Sequence, residues 1–369
     1  MKICWFIDFF LPHYRGGGQE RLWQLGKRLV QRGHELTVVT MRHPGVPDHE
    51  TLDGIDVWHV GPVVARPPQR SLFDFVKFFF AVRRWLRSHE YSVVCAEGLS
   101  IIPACLFSRI PVVATVHDVS VGGSDQWMKF GVLSALAEWL TLRLPEKIVT
   151  VSHAMKRVMM ERGVSAARIE VVYNAVDAVA LDTVSKKSLK VSTVVFIGRL
   201  VPHKHVDDLV DAFSGIAHEF PHARLVIFGS GPEEGCVRQE IEQLNLAQKV
   251  KVVPDAEDAE KLGVLKGASV LVLPSTREGF GIVLAEAGVC RIPVIAYDIP
   301  AVREVVEHGK TGLLAKARDI KGLSYALRAV LKNPKKASAM GRAGRAHILE
   351  KFNWDRSTVL LERQLDAFA

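Results

Sequence analysis

The segment Arg277–Glu286 constrains the fold of this chain more than any other. It follows an apolar strand, Val270–Ser275, and leads into a second apolar strand near Pro293–Tyr297. This order predicts a strand, a glycine-rich turn, a helix and a strand. Gly279 and Gly281 would let the backbone N–H groups of residues 280–283 point into a cleft at the helix start. Because the first amides of a helix have no intrahelical acceptor and the dipole is positive there, we expect an anion site.

Two carboxylates accompany this turn, Glu278 and Glu286. Their spacing of eight residues predicts that they lie about two turns apart on one helical face. A phosphate cradle beside two carboxylates suits a sugar nucleotide, with the diphosphate at the helix start and sugar or ribose hydroxyls on the carboxylates. The same pattern also fits an ordinary strand–turn–helix with solvated glutamates, so the surrounding residues must decide.

Composition limits the class of protein. A chain of 369 residues exceeds one typical core, so two domains are expected, and 48% hydrophobic with 24% charged residues is ordinary for a globular protein. The five cysteines are scattered in or beside apolar runs, which favours reduced core thiols of a cytosolic protein over a disulfide framework or a zinc site. The N-terminus lacks a signal-peptide layout, and no apolar run is long enough for a membrane span.

The net charge of +8 is spread along the chain. Residues 1–180 carry 21 basic and 17 acidic side chains, and the remainder carries 27 and 23, so each part contributes +4. Such a surplus suits anionic small molecules or an anionic membrane surface. No finger, RNA-binding signature or arginine-rich arm is present, and we therefore expect no nucleic-acid partner.

Short apolar runs alternate with helical patterns in both halves, which predicts parallel βαβ units. We predict an α/β protein with two facing, Rossmann-like, doubly wound parallel-sheet domains and ligands in the cleft between them. The predicted parts are residues 1–178, a polar linker at 179–190, a second domain at 191–351, and a C-terminal helix at 352–369 that packs back on the first domain. The predicted strands are Lys2–Phe9, Glu35–Met41, Ile55–Val60, Ser92–Ala96, Pro111–His117, Lys147–Ser152, Ile169–Tyr173, Thr193–Ile197, Ala223–Phe228, Lys249–Val253, Ser269–Leu273 and Val294–Tyr297.

Four further motifs follow predicted strands. Gly16-Gly17-Gly18 opens a helix like a dinucleotide fingerprint but has Arg21 in place of the third glycine, so it favours a closely approaching backbone over NAD binding. Arg199 and Lys204 could both point at a diphosphate, although a solvated basic loop would look the same. The remaining strand-end candidates are His117 and the run Gly229-Ser230-Gly231.

The ordered set of these motifs resembles the retaining glycosyltransferases of family 4, which have the GT-B fold. The resemblance covers nearly the whole chain and is strongest over residues 193–316, which include Gly309-Lys310-Thr311-Gly312. It departs from the family pattern at Asn174-Ala175-Val176-Asp177 and at Pro254-Asp255-Ala256-Glu257. The second of these loops usually lies near the nucleotide base, so its departure leaves the base of the donor open. His203 and His205 stand where the family usually has glycine or small residues.

The resemblance implies a nucleotide-diphosphate sugar donor, UDP- or GDP-linked, and transfer with retention, without a metal or another cofactor. Arg199 and Lys204 would hold the diphosphate, Glu278 would contact the sugar, and His117 would touch the transferring sugar. The implied donor-binding positions are Gly17, Gly18, Gly229, Ser230, Gly231, Phe280, Gly281, Ile282, Val283 and Glu286. The expected function is transfer of a hexose-type sugar to a glycan or lipid-linked acceptor in cell-surface polysaccharide or glycolipid synthesis.

The acceptor side is predicted from the helix at Ser71–Arg87. One stripe of it, expected in the core, comprises Leu72, Phe75, Phe79, Val82 and Leu86. The opposite stripe comprises Phe73, Lys77, Phe80, Arg84 and Arg87. A basic and aromatic stripe can lie on an anionic membrane, and six of the seven tryptophans (Trp5, Trp23, Trp58, Trp85, Trp127 and Trp139) fall in this half. We expect a cytoplasmic protein with peripheral contact at the inner face of the cell membrane, although an ordinary packed helix remains an alternative.

Two other functions fit parts of this pattern. A nucleotide-sugar epimerase can share the two-domain architecture, but it needs acid and base carboxylates beyond those of the donor site. A non-catalytic nucleotide-sugar-binding protein would bind the donor without turnover. The sequence leaves the sugar, the base, the acceptor and the oligomeric state open.

Overall fold

The computed structural model describes residues 1–14, 16–65, 67, 71–119 and 132–368. Two units make up the chain: Met1–Asn174 together with Trp354–Ala369, and Ala175–Asn353. Trp127, one of the tryptophans named above, lies outside the described residues. Among the helices that the structure describes, none is both long and apolar enough to span a bilayer.

The first unit is built on an eight-stranded sheet in the order β3-β4-β2-β1-β5-β6-β7-β8, parallel except for β3. Its strands are β1 Lys2–Phe6, β2 Glu35–Arg42, β3 His49–Leu52, β4 Ile55–Val63, β5 Val93–Glu97, β6 Val112–Val116, β7 Lys147–Thr150 and β8 Ile169–Val171. Its helices are α1 Gly17–Gln31, α2 Leu72–Ser88, α3 Ile101–Phe107, α4 Val132–Arg143, α5 His153–Glu161 and the last helix, Trp354–Asp366. The central strands β5 and β6 are buried at every position, which accounts for their apolar runs Val93–Ala96 and Val112–Ala114.

The second unit has a six-stranded, all-parallel sheet in the order β11-β10-β9-β12-β13-β14. Its strands are β9 Thr193–Ile197, β10 Arg224–Phe228, β11 Val250–Val253, β12 Val270–Leu273, β13 Val294–Tyr297 and β14 Gly312–Ala315. Its helices are α6 Ala178–Thr183, α7 Val206–Ser214, α8 Glu234–Gln243, α9 Asp258–Gly267, α10 Ile282–Val289, α11 Pro300–Val305, α12 Ile320–Lys332 and α13 Pro334–Lys351. The last helix of the chain, Trp354–Asp366, is therefore α14.

The strand order reverses once in each unit. In the second unit, β9 pairs with β10 on one side and with β12 on the other. In the first unit, β1 pairs with β2 and with β5. Ligands of doubly wound sheets bind beyond the carboxyl ends of the strands at such a reversal. The loops after β9 and β12, and those after β1 and β5, are therefore the places to look for a site.

The structure confirms the predicted class of two parallel-sheet α/β domains. The predicted strands are all present, and those at Thr193–Ile197 and Val294–Tyr297 have the predicted ends. The edge strands β3 and β14 were not predicted. The sequence of β3, His-Glu-Thr-Leu, has no buried position, so it carries no apolar signal.

The predicted core stripe of α2 is wrong in part. Phe78, Val82 and Trp85 form its buried face, spaced like one stripe of a helix. Leu72 is 52% exposed because the helix has buried residues only from Phe78 onward. Phe75, Phe79 and Leu86 are half-buried. The opposite stripe, with Phe73 65% and Phe80 54% exposed, does face outward.

The stretch predicted as a linker at 179–190 belongs to the second unit and includes most of α6. Lys266 Nζ donates to the carbonyls of Asp182 and Val184, and Lys187 N donates to Gly263 O over 2.9 Å. Helix α14 packs on α1, where Glu362 accepts from Arg32 and lies 2.8 Å from His34 Nε2.

Candidate active site

Two loops meet at the strand reversal of the second unit. The loop after β9 contains Arg199 and Lys204, and the loop after β12 contains Thr276 and Glu278. Thr276 N donates to His203 O over 3.0 Å, which holds the two loops against each other. This contact brings the loop that contains Lys204 next to the loop that contains Glu278.

Lys204 and Glu278 form the central ion pair of this site. Lys204 Nζ lies 2.5 Å from Glu278 Oε1, and the two side chains are only 15% and 10% exposed. A pair so little exposed is weakly screened by solvent, so each partner strongly restricts the rotamer of the other. The structure therefore places two of the predicted catalytic residues in direct contact.

Helix α10 begins directly after the glycine turn. Gly281 caps it with φ 83°, and a Cβ there would lie 3.0 Å from Leu284 Cδ1, so both the backbone and the packing favour glycine. Ile282 and Val283 are the first helical residues, and both are half-buried. Their amides belong to the group that has no acceptor within a helix, which keeps them available for an anion.

The predicted placement of the two glutamates on one helical face is wrong. Because Gly281 starts the helix, Glu278 lies in the loop before it and only Glu286 lies on α10. Ile282 and Glu286 are one turn apart and both half-buried, so they share a face. Phe280 is 2% exposed, and its ring packs 5.2 Å from that of Phe352, so its side chain belongs to the core.

Positive charge accumulates around His203. Burial, together with the charges of Arg277, Lys204 and Arg199, lowers the pKa of His203 to about 4, while Glu278 acts in the opposite direction. A positive charge nearby disfavours protonation of an imidazole, so Arg277, Lys204 and Arg199 all act on the pKa of His203 in the same direction as burial. That Arg199 and Lys204 hold a diphosphate stays a prediction, and Arg277 was not among the predicted site residues.

His205 explains why the loop after β9 turns where it does. It adopts a left-handed conformation with φ 45° before α7. Arg318 donates to its Nδ1 over 2.5 Å, so its Nε2 carries the proton and donates to Thr276 Oγ1 over 3.0 Å. Arg318 also binds the buried carboxylate of Asp208. The imidazole thus links the loop after β9 to the loop after β12, next to Lys204.

Gly229 and Gly231 allow the backbone of the loop after β10 to pack against that of the loop after β9. A Cβ on Gly229 would lie 1.8 Å from Gly198 O, and one on Gly231 would lie 2.2 Å from Leu200 O. Leu200 N donates to Ser230 O over 2.8 Å, which joins the loops after β9 and β10. Packing between these loops accounts for both glycines, while their contact with a donor stays a prediction.

The first unit gathers its own strand-end residues. Gly17 is the first residue of α1, and Gly18 follows in its first turn. A Cβ on Gly18 would lie 3.5 Å from His117 Nε2, so the glycine loop and the end of β6 are neighbours. His117 Nε2 lies 2.9 Å from Glu97 Oε2, and Glu97 is 3% exposed.

Glu97 and Arg21 were missed by sequence reasoning. Glu97 is the last residue of β5 and the only acidic residue in that otherwise apolar strand. An acidic residue at the carboxyl end of a buried strand was the sequence feature that could have identified it. Arg21 is 1% exposed, and it donates to Asn174 Oδ1 over 3.1 Å and to Tyr173 O over 3.2 Å. Burial lowers the pKa of Arg21 to about 10, which still leaves it charged at neutral pH, and Glu97 opposes that shift.

Comparison with known proteins identifies the family. The family model described as Glycosyltransferase Family 4 matches residues 15–179, and the one described as Glycosyl transferases group 1 matches residues 180–347. A glycogen synthase of Mycobacterium tuberculosis is 29% identical over 382 aligned positions, covering 96% of this chain and 92% of that protein. A GDP-mannose-dependent alpha-(1-6)-phosphatidylinositol monomannoside mannosyltransferase of the same organism is 28% identical, with 93% of each chain covered.

Similarity to solved structures extends over both units. The structure of a sucrose-phosphate synthase from Thermosynechococcus elongatus superposes with a TM-score of 0.85 at 23% identity, and all of both chains is covered. At that level of sequence identity, the structural similarity supports the fold alone. Taken with the family models and the two parallel-sheet units, it leads to one conclusion: this chain is a glycosyltransferase of family 4 with the GT-B fold.

Proposed function

We propose that the protein transfers a hexose-type sugar from a nucleotide-diphosphate sugar, UDP- or GDP-linked, to a glycan or lipid-linked acceptor with retention of anomeric configuration. The observation that carries the proposal is the nearly buried ion pair of Lys204 and Glu278, which lies at the strand reversal of the second unit just before the start of α10. A cellular role in cell-surface polysaccharide or glycolipid synthesis fits this acceptor class.

The chemistry is charge stabilisation of a leaving group. The bond between the anomeric carbon and the diphosphate oxygen breaks, and the electron pair leaves with the nucleoside diphosphate. Arg199, Lys204 and the amides of Ile282 and Val283 would neutralise that developing charge, which is the role a divalent cation has in other transferases. We therefore propose metal-independent transfer. Glu278 would hold Lys204 in place and contact the sugar, and Glu286 would bind the ribose.

Retention requires the acceptor oxygen to reach the anomeric carbon from the face that the diphosphate leaves. The acceptor hydroxyl forms the new bond, and its proton passes to the departing phosphate oxygen. His117, held by Glu97, would touch the transferring sugar, and the backbone of Gly17 and Gly18 would leave room for it. Positioning of this kind supplies catalysis without a covalent intermediate.

A lipid-linked acceptor is favoured by the exposed stripe of α2. Phe73 and Phe80 are more than half exposed, and Lys77 Nζ lies 4.3 Å from the centre of the Phe73 ring. Arg84 and Arg87 are exposed on the same helix. Aromatic rings beside cations suit an anionic bilayer surface, so we propose peripheral contact at the cytoplasmic face of the membrane. The mannosyltransferase relative is named for a phosphatidylinositol-linked substrate.

The proposal is tested by incubating the protein with UDP- and GDP-sugars, a panel of glycan and lipid-linked acceptors, and EDTA. We expect one donor to give a product whose new linkage keeps the anomeric configuration of the donor, as read by the one-bond C–H coupling in NMR. An inverted product, or a strict requirement for an added cation, would overturn the proposed mechanism. An epimerase would instead change the donor without an acceptor, and a pure binding protein would show donor affinity and no product.

A further inference from the structure

A second polar cluster lies in the first unit beside the β3–β4 hairpin, and the proposed sugar transfer does not use it. His13 Nε2 and His59 Nε2 each lie 2.9 Å from the same oxygen, Glu50 Oε1. The ring of His43 lies 5.6 Å from that of His13 and 6.3 Å from that of His59, centre to centre. Three imidazoles and one carboxylate therefore share one small volume.

The sheet register explains why these residues meet. Glu50 on β3 stands opposite Val57 on β4, and directly opposed residues share a face of a sheet. His59 is two residues beyond Val57, so it lies on that same face, diagonal to Glu50. His43 comes immediately after β2, which pairs with β4. His13 arrives from the segment that follows β1. Four separate parts of the chain thus converge.

The geometry points to a metal site, and we propose that His13, Glu50 and His59 bind one divalent transition-metal ion, with Zn²⁺ the best match. Imidazole nitrogen and carboxylate oxygen are the ligands of that ion. The three ligand atoms lie within 4.8 Å of one another. In a tetrahedral site with bonds of about 2.0–2.1 Å the ligand atoms are about 3.3 Å apart, so each 2.9 Å contact needs to open by only a few tenths of an ångström.

The surroundings of His59 determine how tightly an ion would be held. His59 is 1% exposed, and its Nδ1 has no hydrogen-bond partner among the described residues. Metal binding through Nε2 moves the ring proton to that Nδ1. A zinc-bound imidazole that lacks an acceptor for its second nitrogen binds about 10–100-fold more weakly than one that has it. We therefore expect a readily exchangeable site and not a permanent structural one.

Three protein ligands leave a fourth position for water, and the ring of His43 is close to those of His13 and His59. A bound ion would join the segment after β1 to the β3–β4 hairpin. His13 is three residues before Gly16, which caps α1, so the ion would restrain the chain that leads into the glycine loop. Binding to the folded state alone raises the melting temperature, and we expect a rise of several degrees at saturating Zn²⁺.

The test is Zn²⁺ binding to the full chain after chelator treatment, by equilibrium dialysis and by calorimetry. We expect one equivalent per chain, with affinity reduced at least tenfold in His13→Ala and in Glu50→Gln. His49→Ala is the matched control, because His49 lies on β3 next to Glu50, is exposed, and is not a proposed ligand. It should bind as the unaltered protein does.

Two results would overturn the proposal: no stoichiometric Zn²⁺ on the unaltered protein, or equal affinity in His13→Ala, Glu50→Gln and the control. Because His59 is buried, its removal could unfold the unit, and the decision therefore rests on the partly exposed His13 and Glu50. Circular dichroism of each variant establishes that it is folded. The readout is binding, so its outcome does not depend on the proposed sugar transfer.

Discussion

Lys204 Nζ lies 2.5 Å from Glu278 Oε1 in a nearly buried pair, and the two residues belong to loops that follow different strands, β9 and β12. The carboxylate fixes the ammonium group at the strand reversal, beside the start of α10. A lysine held in this way is already oriented before the donor arrives, which is the condition for electrostatic preorganisation.

Replacing this lysine should stop the reaction, and because it leaves the little-exposed carboxylate of Glu278 unpaired, we also expect some loss of stability, which circular dichroism and the melting temperature measure. We expect Lys204→Ala to lower kcat by at least about 100-fold, the size associated with losing one charge contact in the transition state. Lys310→Ala is a matched control, because Lys310 also pairs with a glutamate, Glu307, over 2.7 Å but is 69% exposed. Steady-state kinetics on both variants decides the point, and near-normal turnover in a folded Lys204→Ala protein would remove this residue from the mechanism.

Donor binding should be linked to proton uptake through His203. Its pKa is lowered to about 4, so the imidazole is neutral in the free protein at pH 5.5. A diphosphate brings negative charge to the surrounding cations, raises that pKa and favours protonation. Affinity for a nucleotide sugar should therefore increase as the pH falls from about 6.5 to 5. Calorimetry in buffers of different ionisation enthalpy measures the protons taken up.

His203→Gln provides the control for this linkage. The variant keeps a polar side chain but cannot titrate, so both the pH dependence of affinity and the proton uptake should diminish. A nucleotide sugar is the right probe, since its diester phosphates do not titrate in this range. Equal uptake in the variant would mean that another group takes the proton.

In the first unit, Glu97 should hold His117 in the orientation that the reaction needs. Glu97→Gln preserves the shape but weakens a hydrogen bond to a charged group, worth about 1.5 kcal/mol, and we expect kcat to fall about tenfold with KM for the donor little changed. His117→Ala should cost more. If Glu97→Gln lowers the melting temperature while kcat is unaffected, the pair has only a structural role.

Membrane contact should depend on the exposed stripe of α2. In flotation assays, the unaltered protein should bind vesicles that contain anionic lipid. Phe80→Ser combined with Arg84→Glu should weaken that binding at least tenfold, because each basic residue near such a surface contributes about 1 kcal/mol. Leu349→Ser combined with Arg342→Glu, also an exposed apolar and basic pair, is the control on α13. Binding that is unchanged by the α2 variant would end the membrane proposal.

The sequence predicted the strands, and the loops that follow them, better than any other feature of the structure. Continuous apolar runs located the central strands of both sheets. His117 follows β6 directly, and Lys204 and Glu278 lie in the loops after β9 and β12. Helical periodicity gave a wrong prediction where only part of a helix is buried. The α2 stripe was predicted from the whole helix, but its buried residues lie only between Phe78 and Trp85. The placement of Glu278 depended on where Gly281 starts α10, a boundary that spacing alone does not determine.

Contacts between distant parts of the chain were not predictable from sequence. Glu97 gave no pattern that linked it to His117, twenty residues away. His205 looked anomalous in sequence because its role depends on Arg318, more than a hundred residues further along the chain. The cluster of His13, Glu50 and His59 arises from the β3–β4 register, and β3 itself carries no apolar signal.

The central claim is that the cations and the start of α10 in the second unit bind the diphosphate of a sugar nucleotide without a metal. It is tested most directly by titrating UDP- and GDP-sugars into the protein in the presence of EDTA and repeating the titration with Lys204→Ala and Lys310→Ala. The account predicts saturable binding of at least one donor to the unaltered protein and to Lys310→Ala, and a loss of at least tenfold in affinity for Lys204→Ala. Absence of binding to every donor, or equal affinity in all three proteins, would contradict it.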